Sequence, residues 1–226
     1  MAGAGAVDYD ACIEAGETRF MAERSPREQR REHRRALSRD QILSAAEIVF
    51  ARNGFHDASL REIAELAEFS VGAVYSFFAG KEDIYRAIFL RRAAEFMPEM
   101  EEVIGRPGTP LGQLLDLAAW QVGFFRRYPQ FGRLVLRGGA IGAPLVTPAE
   151  DAEIQENFAA AQRAQAELFR RGQEAGEVRQ APPLVLARMF SGLVSAFQAA
   201  ELGAEPPAHL RLEDLLEVIE AAFAAP

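Results

Sequence analysis

From residue 38 onward, apolar side chains recur every three to four positions, and nowhere with the sustained alternation of a half-buried strand. Ile42, Ala45, Ala46, Val49 and Phe50 share one stripe, opened by a capping box at Ser38-x-x-Gln41 and closed by Gly54, a residue suited to a left-handed helix end. A second capping box, Ser59-x-x-Glu62, opens a short helix with Leu60, Ile63, Ala64 and Ala67 inward. Ser70 caps a third, expected over Ser70–Phe78, with Val71, Val74 and Phe78 on one face. A fourth spans about 81–104, with Glu82 and Asp83 in its first turn. Pro110 sits at a helix start and a shorter segment follows from Pro129. Thr147-Pro148-Ala149-Glu150 combines a capping box with a proline at the first helical position and opens a helix carrying Ile154, Phe158, Ala161, Leu168 and Phe169. Helices from Pro183 to about Gly203 and over about 210–224 complete an all-α chain of about nine helices.

Two short capped helices joined by a tight turn, after a longer one, make a helix-turn-helix arrangement. The stretch "SLREIAELAEFSVGAVYSFFAGKEDIYRAIF" adds specific residues: Ser59, Ile63, Ala64, Ser70, Gly72, Ala73, Tyr75, Phe78, Lys81 and Glu82. Over about residues 38–90 it resembles the DNA-binding domain of TetR/AcrR-type transcriptional regulators. Three parts are expected: a flexible N-terminal arm over 1–37, basic from about residue 19, a three-helix helix-turn-helix domain over 38–86, and, as the resemblance implies, a larger helical ligand-binding and dimerisation domain over 87–226.

The expected reading helix has no Arg, Lys, Asn or Gln between Val71 and Phe78, the side chains that usually read base edges. Shape therefore has to matter. Gly72 and Ala73 are small enough for close backbone approach and for contact with thymine methyl groups. Ser70 with the helix N-terminus, Tyr75 and Lys81 are candidate phosphate contacts, and Ser59 and Arg61 are further candidates on the preceding helix. Neither Tyr75 nor Lys81, the only lysine, has an evident structural task. Three positions depart from the resembled pattern. Glu68 stands where glycine is usual, Val71 where lysine is frequent, and Phe77 where a polar residue is common.

Charge changes the picture at the N-terminus. The whole chain carries −8, yet between Arg19 and Arg39 eight arginines face three glutamates. That stretch reads either as a solvated, partly helical tail or as a basic arm along phosphates or in a minor groove. Cys12 is the only cysteine, so no intramolecular disulfide forms, and a reducing cytoplasm is the expected setting. The first twenty residues lack the apolar core of a signal peptide, and no apolar run is expected to span a membrane.

In the second half, Trp120, Gln121, Phe124, Phe125, Asn157, Phe158, Gln162 and Phe190 are the candidate lining of an apolar ligand cavity, with Gln198 a further polar candidate. Arg126, Arg127, Arg133 and Arg137 are positioned to attract an anion, or simply exposed. Gly192, Ala196 and Ala199, with Leu212, Leu215, Ile219 and Phe223, form the expected dimer surface on the last two helices. The same stripe also fits internal packing. No zinc-protease, nucleophile-elbow, P-loop or dinucleotide spacing occurs, so neither an enzyme nor a metal or other cofactor is expected. The resemblance implies a homodimer on double-stranded DNA, acting by default as a repressor released by a small apolar or amphipathic effector. The alternative is a ligand-binding or interaction protein of the same fold without sequence-specific DNA binding.

Overall fold

The computed structural model describes residues 25–137, 152–203, 207 and 209–226. Among these lie nine helices: α1 (Pro26–Asp57), α2 (Leu60–Leu66), α3 (Val71–Tyr75), α4 (Lys81–Ile104), α5 (Pro110–Arg127), α6 (Pro129–Arg137), α7 (Ala152–Glu174), α8 (Pro183–Glu201) and α9 (Leu212–Phe223). The only β-type pairing among the described residues is an isolated bridge between Val178 and Ala224. The chain divides into two compact units at Asp40/Gln41.

In the first unit, the basic stretch expected to be part of a flexible arm is helical from Pro26. Ser38 is therefore an interior residue and not the start of the helix. A capping box more than three turns before Ser38 explains the shift: the Ser25 N–H donates to Glu28 Oε2 at 2.9 Å, and the Glu28 N–H donates to Ser25 Oγ at 3.3 Å. Pro26 occupies the first helical position, and the Arg, Glu, Gln and Ala that follow are good helix formers. Residues 1–24 and the helix start at Thr147–Glu150 lie outside the described residues.

The second unit is built on two apolar clusters. One gathers Ile42, Ala46, Phe50, Ile63, Val74, Phe78, Ile84 and Ile88, and so fixes α1 to α4 as a helix-turn-helix with its supporting helix. Gly54 breaks α1 with a φ of +79°, as its type suggested. Tyr85 is buried among Phe50, Phe55 and Phe89, and burial pushes its hydroxyl up to about 12. The other cluster gathers Met100, Leu114, Leu117, Leu168, Phe169, Phe190, Ile219 and Phe223 from α4, α5, α7, α8 and α9. Phe96 and Trp120 pack against both.

The turn between α2 and α3 carries a cost. Glu68 holds φ at +60°, the left-handed region that disfavours a side chain. Glu68→Gly should raise stability by roughly 0.5–1 kcal/mol, allowing for the extra freedom glycine gives the unfolded chain. An unchanged urea midpoint would show that this backbone is not left-handed in solution.

Helix α8 departs from the expectation that no segment reaches membrane-spanning length. Its 19 residues include an 18-residue window of mean hydropathy 1.3, which suffices by length and composition alone. Its Leu186, Ala187, Phe190, Val194 and Phe197, however, are buried in the protein's own core. A core helix in a bundle meets the same composition without any bilayer.

Candidate functional site

The first candidate surface is built by α2 and α3. Ser59 accepts from the Glu62 N–H at 3.2 Å while Glu62 accepts from the Ser59 N–H at 2.9 Å, a complete capping box. The Ser59 hydroxyl and its backbone N–H both hold the Glu62 carboxyl below the usual carboxylate range. Ser70 Oγ likewise accepts from the Ala73 N–H at 3.1 Å. Both serines therefore have a structural task. The N–H groups at the start of α3, expected to meet a phosphate, are partly satisfied within the chain. The reading helix is also shorter than expected: it ends at Tyr75, with Ser76 as its C-cap. Phe77 is half-buried against Phe69, at 6.3 Å between ring centres, so it packs the turn and does not face outward.

The outward face of this pair is apolar. Leu66 (46% exposed), Val71 (37%) and Tyr75 (55%) stand in solvent. The Tyr75 hydroxyl makes no hydrogen bond among the described residues. Gly72 is exposed, and a Cβ added there would meet nothing closer than Ser70 Oγ at 4.0 Å. Nothing inside the chain requires glycine at this position. Ala73 is half-buried beside it. On α2, Arg61 is exposed and its Nε pairs with Glu65 at 2.8 Å, a surface pair of small energetic weight.

Lys81 corrects the expectation that it lacks a structural role. Its Nζ donates to the carbonyls of His56 (2.9 Å) and Ala58 (3.1 Å) and lies 4.7 Å from the centre of the Phe55 ring. It ties the start of α4 to the end of α1 and the loop after it. An ammonium has three N–H donors, so one remains for an external oxygen.

The second candidate site is a cavity of about 460 Å³ between α4, α5, α6, α7 and α8, within the range of small-molecule pockets. Gln121, Phe125, Asn157, Phe158, Gln162 and Gln198 line it. Trp120, Phe124 and Phe190 do not. Phe124 and Phe190 are fully buried, and Trp120 packs on Phe96 at 4.7 Å while donating its indole N–H to Glu99 at 3.2 Å. In helices hydrophobic all round, periodicity cannot separate a core ring from a lining one. The four arginines considered for an anion are engaged elsewhere. Arg126 pairs with Glu201, Arg127 with Glu99, Arg133 donates to the Leu202 carbonyl, and Arg137 to that of Arg52.

Sequence reasoning missed several lining residues, among them Phe89, Arg92, Met97, Gln165 and Ser191. Arg92 is 8% exposed and makes a two-point contact with Glu47 of α1, Nε to Oε1 and Nη2 to Oε2 both at 3.0 Å. Its guanidinium also lies 3.8 Å from the centre of the Tyr128 ring. Arg91 joins the same carboxylate. A signal existed: Glu47 sits four residues from both Leu43 and Ala51, on the buried side of an otherwise apolar stripe.

The expected dimer surface is only partly outward. Leu215, Ile219 and Phe223 are buried within the chain itself (6%, 0% and 1% exposed), so they are core and not interface. Ala196 and Ala199 are exposed and also line the cavity. Gly192 and Leu212 are half-buried. The free apolar face is formed by Leu184, Val185 and Met189 on α8 and Val218 on α9. Val185, Met189, Gly192 and Ala196 follow helical spacing along one side of α8.

These features define a helix-turn-helix protein with a helical body that carries a partly open cavity. Residues 42–88 match the family described as bacterial regulatory proteins, tetR family. The chain is 38% identical over 69 residues to the fatty acid metabolism regulator protein of Bacillus subtilis, covering 30% of this chain and 36% of that one. It is 33% identical over 105 residues to the HTH-type transcriptional regulator RutR of Escherichia coli, covering 46% and 49%. The matched regions thus span between about a third and a half of these curated relatives. The fold is similar to that of AibR, solved with isovaleryl coenzyme A and operator DNA, with a TM-score of 0.69 and 19% identity over 84% of this chain and 99% of that one.

Proposed function

We propose that this protein is a ligand-responsive, non-catalytic transcriptional regulator of the cytoplasm. It binds a roughly palindromic operator as a homodimer and represses until a small apolar or amphipathic molecule fills the cavity. The observation that carries this reading is the outward face of α3. Val71 and Tyr75 are exposed apolar surface, and Gly72 has no internal reason to be glycine, on a domain that matches a DNA-binding family. Val71 and the Cα of Gly72 suit thymine methyl groups, while the Tyr75 hydroxyl, Arg61 and the third N–H of Lys81 suit phosphates. With so few base-reading groups, DNA shape carries much of the preference. The exposed stripe of Val185, Met189 and Val218 is the proposed contact between protomers, which would set two copies of α3 about 34 Å apart. A ligand acts by favouring a state with the wrong spacing, and only to the extent that it binds that state more tightly.

The test is fluorescence anisotropy on the DNA upstream of the protein's own gene, against a scrambled duplex, at low and near-physiological salt. Preferential binding that survives salt is expected. Gly72→Leu should leave the thermal midpoint unchanged or slightly higher, because leucine is the better helix former, yet weaken operator binding at least tenfold. Equal binding by this variant would remove α3 from the groove.

A further inference from the structure

The cavity wall carries polar groups of an unusual kind: they are almost all uncharged. Gln121 of α5 is 6% exposed, and its carboxamide makes no hydrogen bond among the described residues. Across the cavity the Gln162 Nε2 donates to Ser191 Oγ at 2.8 Å, and the Ser191 hydroxyl donates to Gln165 Oε1 at 2.8 Å. The Gln162 Oε1 is buried without a partner. The one charged residue among the described lining is Arg92, and its guanidinium is already occupied by Glu47, by Glu95 at 3.1 Å and by the Tyr128 ring.

A buried acceptor with nothing to bond, as at Gln162 Oε1, is costly, and a ligand that offers it a donor relieves that cost, while the unspent Gln121 carboxamide on the cavity wall can meet the same ligand. A buried anion without a free counter-charge is costlier still. Building on the reading of this cavity as the effector site, the geometry points to an uncharged effector: an apolar body bearing a carboxamide-like donor and acceptor pair, held by Gln121 and by the Gln162–Ser191–Gln165 chain. Carboxylates and coenzyme A thioesters are discriminated against. Gln121 is the specificity-determining residue because it alone on α5 presents an unspent polar group to the cavity.

The probes are matched pairs: hexanamide, decanamide and cyclohexanecarboxamide, each against the corresponding carboxylate at pH 7.5. Trp120, the only tryptophan, reports binding through its contact with Phe96 of the wall, and a thermal shift provides a second readout. At least one amide should bind ten times or more tighter than its carboxylate. Gln121→Leu should abolish that preference by weakening the amide at least tenfold, while leaving the unliganded melting temperature unchanged or higher. A carboxylate that binds as tightly as its amide, or an amide preference that persists in Gln121→Leu, overturns this assignment and leaves the sensor reading standing. If no member of any pair alters either signal, the cavity is not an effector site, and both readings fall.

Discussion

Glu47→Leu is expected to unfold at markedly lower denaturant, losing about 3–5 kcal/mol of stability, because it strands two guanidinium groups that share one buried carboxylate. Arg92 is 8% exposed and Glu47 5%, so water cannot substitute for the lost partner. The double variant Glu47→Leu/Arg92→Met should recover a large part of the loss, since an apolar pair of similar size avoids the desolvation of both charges. A double-mutant cycle by urea denaturation measures the coupling, and near-zero coupling would mean the pair is solvated in solution. The pair also has a functional position. Glu47 belongs to the helix that supports α2 and α3, whereas Arg92 lines the cavity. In the double variant, then, the cavity and the operator should still bind their partners, but a ligand should shift operator affinity less than in the parent protein. Linkage requires the same reduction when the experiment is run with DNA as the added partner.

The second large effect is expected from Val185→Asp/Met189→Asp. Both side chains are about half exposed in the single chain (49% and 56%), so the fold of one protomer should tolerate the charges. Two protomers meeting through this face would instead bury four carboxylates without partners. Light scattering at micromolar concentration should give a monomer. Operator affinity should fall about 10²- to 10⁴-fold, the range lost when two linked binding events become independent. A dimer that persists in this variant would place the interface elsewhere on the surface.

Much of the local architecture was legible before any tertiary contact was known. The Ser59 and Ser70 caps, the helix start at Pro110, and the break at Gly54 each depend on residues within about four positions of one another. Glu68 was marked only through the resemblance, as a residue standing where glycine is usual, and the structure gives it a φ of +60°. One equally local signal, the capping box at Ser25 and Glu28, was overlooked, because the charged residues after it carry no apolar stripe to announce a helix.

The remainder of the candidate site depended on distance along the chain. Glu47 and Arg92 are 45 residues apart, and Lys81 reaches carbonyls 23 and 25 residues away. An apolar stripe such as Leu215, Ile219 and Phe223 declares that one helix face will be covered, but not whether a neighbour in the same chain or a second copy covers it. Likewise Phe124 and Phe125 are adjacent in sequence, yet one is core and the other lines the cavity. The sequence by itself determined the all-α class, the helix-turn-helix and the residues that cap it, because those follow from interactions within a turn or two. Only the tertiary structure decided which rings enclose the cavity, which charges are already spent and which apolar face is left open, because each of these follows from how distant helices pack against one another.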